Sequence, residues 1–265
     1  GEITMQKRKQ GLALLLLLTM LVSVLAVPVW ADETVYSIKS AQDLVDLGGR
    51  DLTGVIELCC DLDMAGQTME SIASFSGIFR GNGYAISNLK IEGERKTVLK
   101  WNDPYQGLGL ISVGSGRVED LVLEQPQIQL QAGQSTGVAA LIGSVTEGES
   151  VVLKNCAVVG GQVQSASEKT THVGALVGNL VNGSLTISGC FSTADISYTG
   201  SKQPSTCYAG GLIGYVSSSD VTVENSAVLG NVASYSGTSG YAGGMIGIIN
   251  GSNSNKTVSF THCYV

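Results

Sequence analysis

Charge, proline, histidine and aromatic side chains are all scarce in this chain of 265 residues. Only 14% are Asp, Glu, Lys or Arg, with four prolines, two histidines and fifteen aromatics. Four prolines exclude a proline-rich linker, and the absence of a three-residue glycine period excludes collagen. A chain with 43% hydrophobic residues and so few charges is not a disordered polyelectrolyte. Fifteen Lys/Arg against 22 Asp/Glu, a net charge of -7, argue against a nucleic-acid partner. No H-E-x-x-H or G-x-S-x-G occurs, so the zinc-protease and serine-hydrolase templates fail. Glycine, by contrast, is abundant. Its 35 copies are nearly double the ~7% typical of proteins, and they need a structural reason.

The first 31 residues read as a secretory signal peptide. Lys7, Arg8 and Lys9 precede a charge-free apolar run from Leu12 to Val29, which exits through Val29-Trp30-Ala31. Cleavage is expected after Ala31, and Met5 is the natural initiator. An uncleaved anchor fits less well, because the run is near the lower limit for a bilayer span and Pro28 and Trp30 interrupt its end. The remainder carries twelve Lys/Arg against twenty-one Asp/Glu, a net charge of -9. It contains no second long apolar stretch, so no membrane contact is expected after cleavage.

The rest of the chain repeats. Ala139-Ala140-Leu141-Ile142-Gly143 returns as Gly174-Ala175-Leu176-Val177-Gly178, Gly210-Gly211-Leu212-Ile213-Gly214 and Gly243-Gly244-Met245-Ile246-Gly247. The closing glycines lie 35, 36 and 33 residues apart, and a weaker copy, Gly109-Leu110-Ile111-Ser112, lies 31 residues before the first. A second unit follows each copy. Val151–Cys156 matches Leu185–Cys190, Val221–Ser226 and Val258–Cys263. Apolar and polar residues alternate within it, as on a half-buried strand. The Asn, Gly or His before each Cys or Ser then suits a left-handed corner.

Two or three short strands per coil, separated by glycine corners, suit a β-solenoid that buries its inward side chains by stacking coils. Helical repeats of this length would need a long 3.6-residue stripe, and β-branched residues mixed with glycine are poor helix material. A propeller blade is longer and carries an aromatic signature absent here. The expected fold is therefore all-β, with repeats of ~31–36 residues and an N-terminal cap. Residues 32–106 are assigned to the cap and first coils, and 107–265 to the repeats. Within the cap, Ser40-Ala41-Gln42-Asp43 before Leu44 and Leu47 predicts one short capped helix. Residues 94–106 read as an excursion.

Ala41-Gln42-Asp43-Leu44, Cys60-Asp61-Leu62-Asp63-Met64 and Phe79–Leu89 resemble the leader of GLUG-repeat proteins. The Gly-Gly-Leu-Ile-Gly and Asn-Cys-x-Val units resemble the GLUG motif itself. The resemblance covers roughly residues 36–265 and extends to bacterial surface proteins, including those of IgA-protease type. It implies a right-handed parallel β-helix exported to the bacterial surface, and it implies little about activity. Arg80 stands where that family usually has Asp, which weakens any metal argument there.

Candidate chemistry is thin. Asp61 and Asp63, two apart on an expected strand, could share a face and bind calcium or do general acid–base work, but no third acidic ligand sits nearby. A solvated turn or strand edge is the plainer reading of the pair. Aromatic side chains expected on the surface, where they could contact sugars, are Trp101, Tyr105, Tyr198, Tyr208, Tyr235 and Tyr241, with Trp101, Tyr105, Tyr208 and Tyr241 as the binding candidates. Tyr208 and Tyr241 precede successive glycine units and could stack as a ladder, either structural or in contact with polysaccharide. Of the six cysteines, Cys156, Cys190 and Cys263 share one inward repeat position with Ser226, which favours buried thiols over disulfides.

No cofactor is expected. The expected function is a non-enzymatic surface or secreted solenoid, adhesive or stalk-like. Its partners would be extracellular glycans or host and matrix proteins, with the cell wall reached through a module outside this chain. The alternative is a polysaccharide lyase, by fold analogy alone. Against it, the repeats after residue 136 hold only four scattered basic residues, Lys154, Lys169, Lys202 and Lys256. Because Val265 falls inside a repeat, the chain reads as the front portion of a longer protein.

Overall fold

The computed structural model describes residues 34–94, 107–132, 136–167, 169–200, 206–236, 239–251 and 255–265. The signal-peptide residues, Trp101 and Tyr105 lie outside them.

Alternation sets the strands. In Ser150–Lys154, Val151 and Leu153 are buried while Ser150 and Lys154 are exposed. The same parity holds in Ser184–Ser188 and Asp220–Glu224. These segments pair in parallel with matching positions in register: Leu153 on Ile187, Ile187 on Val223, Val223 on Phe260. Each apolar position therefore forms a column through the stack, and burial is completed by the neighbouring coils. The strands that follow repeat the arrangement, and every ladder between coils among the described residues is parallel. The result is an all-β solenoid of about five turns.

Among the described residues, each of the three coils between Thr136 and Ser234 holds five short strands rather than the expected two or three. One coil runs Thr136–Ala139, Ile142–Val145, Ser150–Lys154, Ala157–Val159 and Gln162–Ser165. The extra strands arise because corners are more frequent than the repeat motifs alone suggest. Asn155, Gly189, Asn225 and His262 all take a left-handed φ of 48–65° and turn the chain before the Cys/Ser position. Gly160 and Gly161 also take positive φ, directly after the strand Ala157–Val159. Among the described residues the strands form one twelve-stranded sheet, one six-stranded sheet and two five-stranded sheets.

The N-terminal segment joins this stack directly. Asp51–Leu58 pairs with Ile72–Arg80, which pairs with Ile111–Glu119. These early coils use one long bent strand where later coils use two. The bend falls at Gly54, Gly77 and Gly116, stacked in register. A Cβ on Gly77 or Gly116 would strike the carbonyl oxygen of the glycine beneath it. Ahead of the stack, Ala41–Val45 is a short helix whose N-cap Ser40 accepts from the Asp43 amide at 3.2 Å. Leu44 and Leu47 from this turn are buried in the start of the core.

The Gly-Gly-Leu-Ile-Gly units form a different kind of corner. None of Gly174, Gly178, Gly210, Gly214, Gly243 or Gly247 takes a positive φ. Close approach is the reason for them. A Cβ on Gly178 would land on the backbone of Gly137 and Val138, and one on Gly214 on His172 and Val173. Gly143 stands in the same relation to Gly107 and Leu108. Across this re-entrant corner, backbone packs on backbone of the preceding coil.

Inside, Cys156, Cys190 and Ser226 stack as one buried column, with Cys263 half-buried in the last coil. All six cysteines are free thiols. The Cys156 amide donates to Cys190 Sγ at 3.3 Å, and the Cys190 amide donates to Ser226 Oγ at 3.1 Å. The contact with Cys190, and then burial, push the Cys156 thiol up.

Gly178→Ala tests the corner. Its Cβ has only backbone to displace, so the thermal midpoint should fall on the order of 5–10 °C. Gly251, with open space around its Cα and no positive φ, is the control. An equal shift in Gly178→Ala and Gly251→Ala by circular dichroism would remove the close-packing account.

Candidate functional site

The acidic pair is taken up by the fold. Asp61 precedes the strand Leu62–Asp63 rather than lying on it, and its Oδ1 accepts from the Ala85 amide at 2.9 Å. Asp63 Oδ1 accepts from Asn88 Nδ2 at 2.8 Å and from the Ala65 amide at 2.9 Å. The Asn88 bond, then the Ala65 bond, hold its carboxyl below the usual range. Both aspartates thus reach to the next coil. Among the described residues no three His, Cys, Asp or Glu side chains come together as metal ligands.

Other carboxylates behave alike. Asn155 donates to Asp120 at 2.9 Å, Asn182 to Glu147 at 2.8 Å, and Asn231 to Asp195 at 2.9 Å. Ser37, Ser74 and Ser87 donate to Glu57, Asp51 and Glu124. Lys256 pairs with Asp220 at 2.8 Å. Partners lie between 20 and 37 residues apart, about one coil. Sequence reasoning missed these ties, although a signal was present. Asp120 with Asn155, Glu147 with Asn182 and Asp195 with Asn231 are acid–amide pairs separated by 35, 35 and 36 residues.

The aromatic residues divide by strand parity. Tyr208 and Tyr241 are paired in register on neighbouring strands, with rings stacked at 5.2 Å. His172 is the next member of this column, and Gly137 and Gly107 continue it toward the N-terminus. Across the re-entrant corner, Tyr215 stacks on His172 at 4.2 Å with ring planes 14° apart. The aromatic cluster therefore occupies only the later coils, where the glycines of the earlier ones have been replaced. Tyr241 is 47% exposed and Tyr235 70%. Tyr198, expected on the surface, is buried instead. Its column runs Leu130, Ser165, Tyr198, Ser234, all inward, and the ring fills volume beside two serines. Its hydroxyl donates to the Ser167 carbonyl at 2.6 Å.

Within the cluster His172 is held neutral. Burial lowers its pKa to about 3, against a smaller opposing effect of its hydrogen bond with Asn179, and Nδ1 has no hydrogen-bond partner among the described residues. Burial, then the charges of neighbouring Tyr215 and Tyr241, push the Tyr208 phenol up. The cluster is a stacked, largely uncharged surface at neutral pH, with Tyr241 as its open end.

Stacked parallel coils, an in-register core and coil-to-coil acid–amide ties define this chain as a parallel β-solenoid. No protein-family model matches it. A stretch of 168 residues, 63% of the chain, is 32% identical to "Halomucin" of Haloquadratum walsbyi (strain DSM 16790 / HBSQ001) and spans 2% of the length of that protein. The fold is similar to a crystal structure of a "putative immunoglobulin A1 protease" from Bacteroides ovatus. That likeness has a TM-score of 0.61 and 18% identity, and covers 88% of this chain and 76% of the other. At that identity the likeness concerns the fold alone.

The cluster has a pH signature. A histidine with a folded pKa of about 3 and an unfolded value of ~6.5 leaves the unfolded chain holding the extra proton between them. Stability present above pH 6.5 should therefore be lost as the pH falls toward 3. Thermal midpoints measured from pH 6.5 to 4.5 should decline in the wild type and flatten in His172→Phe, which keeps a ring in the stack. Parallel slopes in the two proteins would contradict the buried neutral imidazole.

Proposed function

We propose that this solenoid is a non-enzymatic extracellular module of GLUG-repeat type that presents its faces for binding along a stalk. The observation that carries this reading is the use of the outward carboxylates. Asp61, Asp63, Asp120, Glu147 and Asp195 are engaged in hydrogen bonds between coils. A carboxylate held in that way is poorly placed to act as a mobile acid, base or cation ligand. The likeness to Halomucin supports an extracellular setting, as does the expected signal peptide at residues 1–31.

Tyr208 and Tyr241 offer one contact surface, since an exposed stacked phenol presents an apolar face with a polar tip. Extracellular glycans and matrix proteins are the ligands such a face suits. The test pairs binding with turnover. Purified protein should bind members of a glycan or matrix-protein array, with about tenfold weakening in Tyr208→Ala/Tyr241→Ala. It should release no products from immunoglobulin A1, pectin or alginate with calcium added. Unsaturated oligosaccharides or cleaved immunoglobulin would overturn the non-enzymatic reading.

A further inference from the structure

A second face carries chemistry that the aromatic cluster does not. The sheet containing Lys90–Glu94, Gln127–Ala132, Gln162–Ser165 and Asp195–Tyr198 turns two polar columns outward. In one, Lys90 pairs with Gln127 and Gln127 with Gln162. In the other, Glu92 pairs with Gln129 and Gln129 with Gln164. Ile91, Ile128 and Val163 point the other way and are buried. Four glutamine amides therefore stand in a two-by-two array on consecutive coils. They line a groove of about 340 Å³ together with Lys90 and Glu92. A second hollow of about 560 Å³ shares Lys90 and Gln127 and continues past Gln67 and Thr68, so the trough runs along the stack.

Stacked amides usually lock to one another as a ladder that stabilises successive strands. Here they do not. The side chains of Gln127, Gln129, Gln162 and Gln164 form no hydrogen bond among the described residues, while amides elsewhere on the surface are used between coils. Each free amide offers two donors and one acceptor oxygen, a match for hydroxyls, which both donate and accept. The charges present cancel locally, since Lys90 pairs with Glu92 at 3.0 Å. Among the described residues that line the trough the one cation, Lys90, is paired, so they offer an anionic polymer no free charge, and a peptide strand would seek a sheet edge rather than a sheet face. Coils repeat at ~4.8 Å, so donor–acceptor groups recur along the trough at about the advance of one pyranose in an extended chain.

We propose that this glutamine trough binds a neutral polysaccharide chain laid along the solenoid axis. The proposal rests on the non-catalytic surface reading and gives it a ligand class and a location apart from the tyrosines. The test is calorimetric titration of the whole protein with the soluble hexasaccharides of β-glucan and mannan, and with polygalacturonate as the charged comparison. A neutral hexasaccharide should bind, more tightly than its trisaccharide, with polygalacturonate weaker.

Gln127→Ala/Gln162→Ala and Gln129→Ala/Gln164→Ala should each weaken binding about tenfold or more, with unchanged thermal midpoints. Gln127→Thr/Gln162→Thr, which keeps strand-forming residues, should do the same and guards against a folding defect. Equal binding by wild type and glutamine variants, or no binding of any neutral sugar, overturns the trough. Loss confined to Tyr208→Ala/Tyr241→Ala also overturns it while leaving the surface-module reading intact. New reducing or unsaturated ends on the sugars would instead sink that reading.

Discussion

The structure depends on a contact in which no side chain takes part, the approach of one coil's backbone to the next across the glycine corner. Gly143, Gly178, Gly214 and Gly247 each face main-chain atoms where even a methyl group would collide. That approach brings the outer sides of two strands together. It allows His172 to meet Tyr215, and it places Tyr208 and Tyr241 in line on the rim. The core columns follow from the same stacking, because the apolar positions of one coil are covered above and below by those of its neighbours. Glycine is abundant here because the chain passes such corners once per coil.

A stack held by apolar columns alone could slip, since one apolar position resembles the next. The polar ties remove that freedom. Asn155 reaches Asp120, Asn182 reaches Glu147 and Asn231 reaches Asp195, each satisfied only in one register. Each exposed tie contributes little by itself, but a one-residue slip would break several together and turn the apolar columns outward. Register and surface chemistry are thus linked. Where ties are dense the surface is occupied, and where glutamines replace them the amides keep no hydrogen-bond partner among the described residues.

The solenoid was legible from the sequence because its repeats are both spatial and linear: a period near 35 residues is a coil. The left-handed corners were legible at Asn155, Gly189, Asn225 and His262 for the same reason. The number of strands per coil was not, since a strand of two or three residues leaves too short an alternation to read. The role of the Gly-Gly-Leu-Ile-Gly glycines was half legible. Need for glycine was plain, but positive φ and close approach give the same letter. Tyr198 shows the limit for single residues: an aromatic in a loop-rich stretch looks exposed until its column places it between Ser165 and Ser234.

By itself the sequence determined the coil, its period and the inward positions, because these depend on local alternation and on identity between repeats. Only the tertiary structure decided which outward residues are used up and which remain available. Asp61 and Asp63 look like a ligand pair along the chain and are ties in space. Gln127 and Gln162, 35 residues apart, look like filler and stand side by side at the surface. Their availability depends on hydrogen bonds made or not made between coils, and that follows from stacking rather than from neighbours in the chain.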